Sequence, residues 1–451
     1  MKIIIVGGGS VGLAIAETLR VENHDISLID TEFSVVSNVG DEFDILGIPG
    51  SGVVCADLEL AGIEDSDLLI AATGQDEVNI LSCATAKRMG VPHCIARVRD
   101  PELTKQFAFL RDELGLSFAV NPEYYTANEI YRIIRLPSAI KVESFAKGRI
   151  DIAEVKIERD SIFDELSLDM LPQKIKFQLL ICAVSRGNDV YIPKGDFILR
   201  AGDKIHVTAT HTELAAFFKS QGMMNNRIKD VMLIGGGRTA YYLARLLIDF
   251  GVSVKIIEVD RDRCVELSQL FPKAKIINGD GTNQDLLISE NVGETGACIA
   301  LTNSDEENVI ISLFAKLRGA GKVITKTNKL TLKQMAENVG LDSPISPNLL
   351  TADVIVRYVR AMQNAEGSNV HALSTLVDDK VEAVEFAVTA SSRILNTPLK
   401  DLKLKPNLLI SGIIRNGKVI IPNGTSTIEK ADSVVVVTTN LHLQDLDEII
   451  R

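Results

Sequence analysis

Short apolar runs alternate with amphipathic stretches along the first third of the chain. Residues 3–6 form an apolar run, and residues 13–19 show the spacing of a helix. The same alternation continues to about residue 135 and returns over residues 228–360. Strands that alternate with helices in this way predict a parallel sheet covered by helices on both faces. We therefore expect an α/β, Rossmann-like doubly wound domain in each half of the chain.

A different pattern follows each of these regions. Residues 152–157 alternate like a half-buried strand, and residues 179–184 are typical of a buried one. Residues 185–188 predict a hairpin turn, with returning strands at 190–192 and 205–208. Strands joined by such short turns are antiparallel. The pattern predicts a small α+β C-terminal domain after each Rossmann-like domain.

The two halves are related by an almost constant offset, so the chain is a tandem duplication. Matched pairs lie 228 or 229 positions apart: Gly7 with Gly235, Asp30 with Glu258, Thr73 with Thr302, and Asn79 with Asn308. The predicted domains are residues 1–135, 136–220, 230–360 and 361–451, with a linker at 221–229. Each half thus contains one Rossmann-like domain and one small domain.

The glycine-rich loop after the first apolar run is the main candidate for ligand binding. It comprises Gly7, Gly8, Gly9, Ser10, Val11 and Gly12. Glycines here allow a tight turn and close approach to a pyrophosphate, which then lies on the free N–H groups of a helix N-terminus. A tight turn in any α/β protein also fits the glycines alone. The strand before the loop, the helix after it and a downstream acid favour nucleotide binding.

Asp30 is that acid, and it ends the next apolar run, 18 residues after Gly12. A carboxylate at this place accepts hydrogen bonds from an adenosine ribose and repels a 2′-phosphate. The spacing therefore favours NAD over NADP.

Other candidate residues lie where later strands end. Thr73 and Gly74 follow a strand at the carboxyl edge of the sheet, where ligand contact and helix capping are equally consistent with the sequence. In the second copy, Ser304 fits a capping box. Arg97 ends a further predicted strand. It fits either a bidentate contact to a phosphate or a surface ion pair. Lys326 takes its place in the second copy.

The acids after these strands fit a structural role. Asp76 and Glu77, and in the second copy Asp305 and Glu306, fall in the first turn of a predicted helix. Negative charge there complements the helix dipole.

Composition narrows the class of protein. The chain has 451 residues, enough for three or four domains, with 46% hydrophobic and 24% charged residues and a net charge of −12. An acidic balance argues against nucleic acid or an anionic lipid surface as the main partner. No apolar run reaches the ~18 residues of a membrane span, and Gly7 interrupts the N-terminal run too early for a signal peptide.

Cysteine and histidine usage predicts no metal site. The six cysteines contain no Cys-x-x-Cys pair, and the six histidines form no i, i+4 pair. We expect reduced, mostly buried thiols. An NAD-dependent dehydrogenase is the alternative function, but it needs a positioned acid–base group. No such set of His, Lys or Tyr residues stands out, so no catalytic residue is predicted.

The assembled motifs resemble the TrkA family of regulatory subunits of Trk potassium uptake systems. The resemblance rests on the duplicated order of glycine loop, acid, Ala-Ala-Thr with Asp-Glu-x-Asn, and an Ile-Ala-Arg run ending at Arg97. It covers essentially the whole chain. It implies tandem regulator-of-K⁺-conductance (RCK) domains that bind NAD(H) and ATP or ADP. It also implies a homo-oligomer (a dimer or tetramer ring) in the cytoplasm, held at the inner face of the cell membrane by a membrane-embedded, channel-like potassium partner.

Carried onto this sequence, the family pattern implies two sites. The first comprises Gly7, Gly8, Gly9, Ser10, Val11, Asp30, Thr73, Gly74 and Arg97; the second comprises Gly235, Gly236, Gly237, Arg238, Thr239 and Glu258. Two departures concern the second helix: Ala240 replaces the third glycine, and Tyr241 and Tyr242 follow, which predicts that this helix sits further out. Arg238 would either assist an anion or block a nicotinamide.

A third departure is Ser51, which stands where the second copy has the acid Asp280. We therefore expect NAD in the first site and an adenine mononucleotide, or nothing, in the second. The function expected from the resemblance is a nucleotide sensor that gates its partner by a conformational change.

Overall fold

The computed structural model describes residues 1–43, 45–104, 106, 114–135, 141–146, 148–159, 161–187, 189–220, 228–341, 343–365, 370–377, 380–441, 443 and 445–451. Most of the predicted linker at 221–229, the start of the predicted small domain at 136–140, and Asn188 of the predicted hairpin turn lie outside these residues.

Six parallel strands form the first sheet, in the order β3-β2-β1-β4-β5-β6. They are β1 Lys2–Val6, β2 Asp25–Asp30, β3 Leu46–Pro49, β4 Leu68–Ala71, β5 His93–Arg97 and β6 Phe118–Val120. The helices are α1 Ser10–Val21, α2 Phe33–Phe43, α3 Cys55–Leu60, α4 Asp76–Arg88 and α5 Pro122–Arg135. Ile3, Ile4 and Ile5 of β1 are all buried, as expected of a parallel strand covered on both faces. The predicted doubly wound domain is confirmed, and its strand order reverses between β1 and β4, which is the place where sheets of this kind bind ligands.

The first small domain is an antiparallel sheet in the order β10-β9-β11-β8-β7. Its elements are β7 Lys141–Phe145, β8 Ile150–Lys156, β9 Leu180–Arg186, β10 Asp189–Tyr191 and β11 Lys204–Ala209, with α6 Leu171–Lys174 and α7 His211–Ser220. The pairing of β9 with β10 confirms the predicted hairpin.

The prediction that β8 is half-buried is wrong. All its residues from Ile150 to Val155 are buried, including the polar Asp151 and Glu154. Val155 belongs to the core of its own domain, whereas Ile152 belongs to a cluster that includes Val435 of the second small domain. The second small sheet covers the face that alternation assigned to solvent.

The second half repeats the first. Its parallel sheet has the order β14-β13-β12-β15-β16-β17. The strands are β12 Asp230–Ile234, β13 Ser253–Glu258, β14 Lys275–Asn278, β15 Ala297–Ala300, β16 Lys322–Lys326 and β17 Pro344–Ile345. The helices are α8 Arg238–Asp249, α9 Arg261–Leu270, α10 Gln284–Ser289, α11 Asp305–Arg318, α12 Leu330–Asn338 and α13 Pro347–Ala365.

The second small sheet has the order β18-β19-β22-β20-β21 and is antiparallel throughout. Its strands are β18 Val370–Thr375, β19 Glu382–Ala387, β20 Leu408–Arg415, β21 Lys418–Ile420 and β22 Ser433–Thr438. Position by position, this is the topology of the first small sheet.

Like domains associate across the two halves. One compact unit comprises Met1–Tyr131 with Ile228–Val356, the two Rossmann-like copies, and the other comprises Arg132–Arg227 with Arg357–Arg451, the two small domains. In the second unit, the backbone N–H of Ala146 donates to the buried Glu385 carboxylate at 2.8 Å. The repeat in sequence is therefore a pairing of equivalent domains in space.

Five cysteines are buried and Cys55 is exposed, all as free thiols, as the sequence predicts. Over the part of the chain that is described, no helix combines the length and the apolar character needed to cross a bilayer.

Candidate functional site

The first glycine loop is built so that its backbone lies against the neighbouring strand end. Gly7 has a φ of +99°, and a Cβ there would lie 2.9 Å from the Cα of Thr73. A Cβ on Gly12 would lie 1.9 Å from the carbonyl oxygen of Gly7. Both positions require glycine because neither leaves room for a methyl group.

Gly9 faces the other way, into open space. A Cβ at this residue would meet nothing within 4 Å, and its φ of −70° suits any amino acid. Gly9 is also the N-cap of α1, and its cap involves no side-chain hydrogen bond. The first backbone N–H groups of α1 follow directly after Gly9, and such free N–H groups at a helix N-terminus attract anions. Val11 points the opposite way and is buried in the core.

Asp30 is tied to this loop by its own carboxylate. Oδ2 accepts the N–H of Gly8 at 2.6 Å, and Oδ1 accepts the N–H of Glu32 at 2.9 Å. A carboxylate offers about four acceptor positions, so each oxygen keeps capacity for a ribose hydroxyl. The structure thus brings the glycine loop together with Asp30, the acid that is predicted to bind a ribose.

A fully buried asparagine, Asn79, joins the ends of β4 and β5. Its Oδ1 accepts from the backbone N–H and the hydroxyl of Thr73, at 2.8 and 2.7 Å. Its Nδ2 donates to the carbonyl oxygens of Thr73, at 3.2 Å, and Arg97, at 2.9 Å. The two predicted site residues Thr73 and Arg97 are therefore held in one hydrogen-bonded frame.

Thr73 does not cap α4, since the N-cap residue is Gln75. Gly74 lies beside it in a position where a Cβ would meet nothing within 4 Å. The other predicted role of Thr73 and Gly74, contact with a ligand, stays a prediction.

Arg97 is a mostly buried cation with little local pairing. Its side chain is 15% exposed; one guanidinium nitrogen lies 4.0 Å from Glu123, another 3.4 Å from the carbonyl oxygen of Thr73. Its Nε is buried without a hydrogen-bond partner. Burial lowers the pKa of Arg97, Glu123 opposes this shift, and Arg99 and Arg238 reinforce it. A buried cation with unused donors, at the crevice, suits an anionic ligand better than a surface ion pair.

The second copy repeats the backbone of the cradle. Gly235 has a φ of +102° and packs against the carbonyl group of Leu301, and Gly237 again faces open space. Oε2 of Glu258 accepts the N–H of Gly236 at 2.6 Å, and Oε1 accepts the N–H of Asp260 at 2.8 Å. The predicted second loop and its acid are brought together in the same way as the first.

Side chains around the second cradle differ. Ala240 stands at the place of Gly12 and is fully buried, so α8 must lie further from its loop than α1 does. Arg238 begins α8, and Thr239 is buried behind it. Lys326 replaces Arg97, and burial lowers its pKa, against the carboxylates of Asp305 and Glu123.

Helix capping is confirmed for Ser304, whose hydroxyl accepts the N–H of Glu307 at 3.2 Å. Asn308 repeats the role of Asn79, with bonds to Thr302 and to the carbonyl oxygen of Lys326. Asp280 accepts the N–H of Thr282, and this bond lowers the pKa of Asp280. At the equivalent Ser51, the backbone N–H instead donates to Asp57 at 2.8 Å.

Sequence reasoning missed what the buried polar residues of α4 do. Asp76 lies in the first turn as predicted, but it is buried and accepts the N–H groups of Arg99 and Asp100, each at 2.8 Å. In the sequence, Asn79 is recognisable only as part of a repeated motif. Its recurrence at Asn308 was the available signal, since a polar residue kept on the buried side of a helix needs partners.

Comparisons with known proteins agree with this architecture. The TrkA-N domain matches residues 3–122 and 231–347, and the TrkA-C domain matches residues 152–222 and 383–451. The chain is 33% identical over 454 residues to a Trk system potassium uptake protein TrkA homolog of Archaeoglobus fulgidus, covering 100% of both chains. It is 31% identical over 462 residues to TrkA homolog 2 of Methanosarcina mazei, again over 100% of both.

Solved structures share the fold at low identity. The GsuK RCK domain aligns with a TM-score of 0.64 at 16% identity, covering 97% of this chain and 92% of that one. The GsuK channel bound to NAD aligns with a TM-score of 0.64, also at 16% identity, covering 97% of this chain and 77% of that one.

Proposed function

The chain belongs to the TrkA family, and on that premise we propose that it is the nucleotide-sensing regulatory subunit of a potassium-uptake system. Its curated relatives are named as Trk system potassium uptake proteins and not as dehydrogenases. In this proposal the chain performs no chemistry on its ligand. It gates a membrane-embedded, channel-like potassium subunit from the cytoplasmic face of the cell membrane.

The observation that carries the proposal is the pair of open backbone cradles. In both, two glycines stand where a Cβ would lie 3.0 Å or less from a neighbouring atom, namely Gly7 and Gly8 in the first loop and Gly235 and Gly236 in the second, while Gly9 and Gly237 face open space. In both, an acid accepts from the loop and keeps acceptor capacity. A diphosphate at the helix N-terminus and a ribose at the acid fit these groups.

NAD(H) is the ligand that we propose for the first site. Asp30 would accept the ribose hydroxyls, the N–H groups after Gly9 would hold the diphosphate, and Arg97 would add a cation. The fold neighbour GsuK, which has been solved bound to NAD, lends support. When bound, NAD(H) supplies a signal that depends on its concentration and redox state.

ADP or ATP is the ligand that we propose for the second site. Arg238 is the first residue of α8, and a guanidinium beside the glycine loop would favour an additional phosphate over a nicotinamide. GsuK has also been solved bound to ADP, in a structure that aligns with a TM-score of 0.52 at 14% identity.

Regulation follows from differential binding. A ligand shifts an equilibrium between two conformations only by the difference in its affinity for them. A coupling of ~1–3 kcal/mol changes the population of an open partner several-fold. We propose that copies of this chain assemble as a homo-oligomeric ring, so that the conformational change in each copy acts on the same potassium-transporting partner.

The test is a titration of the purified chain with NADH, followed by its fluorescence. It is paired with two turnover assays: NADH oxidation in the presence of 2-oxo acids or aldehydes, and NAD⁺ reduction in the presence of 2-hydroxy acids or aldehydes. The proposal expects saturable binding without turnover, and loss of binding in Gly9→Leu. Steady turnover would favour the dehydrogenase alternative. Absence of binding by the wild type would contradict both.

A further inference from the structure

Tyr242 of the second copy contacts the loop that frames the first candidate site. It lies in α8, one turn after Arg238, in the helix whose N-terminus forms the second cradle. Its hydroxyl accepts from Nδ2 of Asn121 at 3.0 Å and donates to the carbonyl oxygen of Arg99 at 3.4 Å. Its ring packs edge-on against Tyr124, with 5.6 Å between the ring centroids. The helix α8 therefore contributes its N-terminus to the second cradle and the Tyr242 side chain to contacts with the first copy.

The loop that Tyr242 contacts is fixed to the first site by its other bonds. Arg99 lies two residues after Arg97, and its N–H donates to Asp76 at 2.8 Å. Its guanidinium also donates to the carbonyl oxygen of Gly74. Any shift of the Arg99 carbonyl therefore moves a segment that includes both Arg97 and the contact to Gly74.

The Tyr242 hydroxyl lies in an environment that keeps its hydrogen bonds to the first copy in place. Burial raises the pKa of Tyr242 above its ordinary value, so the hydroxyl stays protonated and can both donate and accept. Position 14 of the first copy, 228 residues earlier, is alanine. A methyl group forms no hydrogen bond, so the first copy cannot return this contact from the same position.

We propose that Tyr242 is a positioning residue for the first nucleotide site, through which occupancy of the second cradle changes the affinity of the first. This rests on the proposed function, namely that both cradles bind adenine nucleotides. A phosphate at the N-terminus of α8 is attracted by the helix dipole and by the first-turn N–H groups. The resulting shift of α8 reaches Arg99 through the Tyr242 hydroxyl. Linkage makes the effect reciprocal, so NADH in the first site alters ADP affinity in the second by the same factor.

Tyr241 offers a matched control within the same helix. Its hydroxyl accepts from Arg245 at 2.7 Å, four residues along α8, and its ring packs against Phe271 of the second copy. Tyr241→Phe and Tyr242→Phe each remove one buried or half-buried hydroxyl and keep the ring. Only Tyr242→Phe removes a hydrogen bond to the first copy.

The experiment is calorimetric titration of the full chain with NADH, with and without saturating ADP. Because ADP shares the adenosine diphosphate group of NADH and can compete for the first cradle, the same titrations are run on Gly237→Leu, which is designed to block the second cradle. The part of the ADP effect that Gly237→Leu abolishes is the coupling between the sites. We expect a coupling of about fivefold or more in the wild type and in Tyr241→Phe. In Tyr242→Phe it should fall below about twofold. As the check on folding, the melting temperature of both variants should stay within about 4 °C of the wild type, since each loses one or two hydrogen bonds.

Two results would overturn the inference: no coupling in the wild type, or coupling of full size in Tyr242→Phe. Either would leave the proposed function intact, because NADH would still bind. Failure of the wild type to bind NADH at all is a different result, and it would remove the proposed function together with this inference.

Discussion

The two Rossmann-like copies keep the residues that hold the backbone and differ in the side chains that surround the crevice. Both use a glycine at positive φ, an acid bonded to the glycine loop, and a buried asparagine between two strand ends. The differing pairs are Ser10 and Arg238, Ala14 and Tyr242, Ser51 and Asp280, and Arg97 and Lys326.

This division has a physical cause. The shared residues satisfy buried backbone groups or fit where no Cβ fits, so their replacement leaves unpaired polar groups or a clash. Three of the differing pairs lie in the glycine loop or at a strand end, where the proposed ligands would bind, whereas Tyr242 contacts the other Rossmann-like copy. Under the proposed function, the two copies share one scaffold and differ in the ligand that each would prefer.

The largest expected effect comes from blocking one cradle at a time. Gly9→Leu should weaken NADH binding about a hundredfold or more, because the side chain would occupy the space proposed for the diphosphate. Gly237→Leu should leave the first site within a few-fold of the wild type. Both variants should fold, since a Cβ at either position meets nothing within 4 Å. Calorimetry with NADH checks both, and equal losses in the two variants would contradict separate cradles.

The asparagine frames should behave alike in the two copies. Asn79→Ala and Asn308→Ala each leave buried backbone groups of two strand ends without a partner, which costs roughly 2–4 kcal/mol of unfolding free energy. Chemical denaturation of the full chain measures this. We also expect Asn79→Ala, but not Asn308→Ala, to weaken NADH binding at the first site, because Asn79 holds Thr73 and Arg97 there. A loss of stability below about 0.5 kcal/mol in either variant would contradict the structural role of that asparagine.

Replacing the acid of each glycine loop should affect a different ligand in each Rossmann-like copy. Asp30→Ala should weaken NADH binding about tenfold or more, since charge-assisted hydrogen bonds contribute ~1.5–3 kcal/mol. Glu258→Ala should leave NADH affinity nearly unchanged and weaken ADP binding at the second site. Calorimetry with each ligand provides the readout, and an unchanged NADH affinity in Asp30→Ala would remove Asp30 from the site.

The smallest expected effect concerns the small domains. Ala431 has a φ of +67° where the first copy has Gly202 at +93°. A left-handed alanine costs about 1–2 kcal/mol, offset in part by the greater freedom of glycine in the unfolded chain. Ala431→Gly should therefore stabilise the chain by roughly 0.5–1 kcal/mol, and Gly202→Ala should destabilise it by a similar amount. Urea denaturation curves compare the pair, and destabilisation by Ala431→Gly would contradict the argument.

The sequence predicts the parts of this structure that local patterns determine. Glycines at a turn, strands between helices and an acid after a strand are local signals, and the repeat doubled each of them. The parallel sheet of each half and the pairing of each glycine loop with a downstream acid follow from those signals, whereas the hydrogen bonds of Asp30 and Glu258 to their loops are seen only in the structure.

What the sequence does not predict depends on residues far apart in the chain. β8 alternates like a half-exposed strand, but its polar face is covered by strands more than two hundred positions later. The bonds of Tyr242 to Asn121 and Arg99 arise only because equivalent domains of the two halves associate. The local sequence pattern of neither half predicts a contact with the other half.

A crystal structure of the chain grown with NADH and ADP together would show directly which nucleotide each cradle holds. We predict a dinucleotide with its diphosphate on the loop from Gly7 to Val11 and its ribose on Asp30, and an adenine mononucleotide on the loop from Gly235 to Thr239. Crystals that bind neither nucleotide in these cradles at saturating concentration, or that hold them elsewhere on the chain, would contradict it.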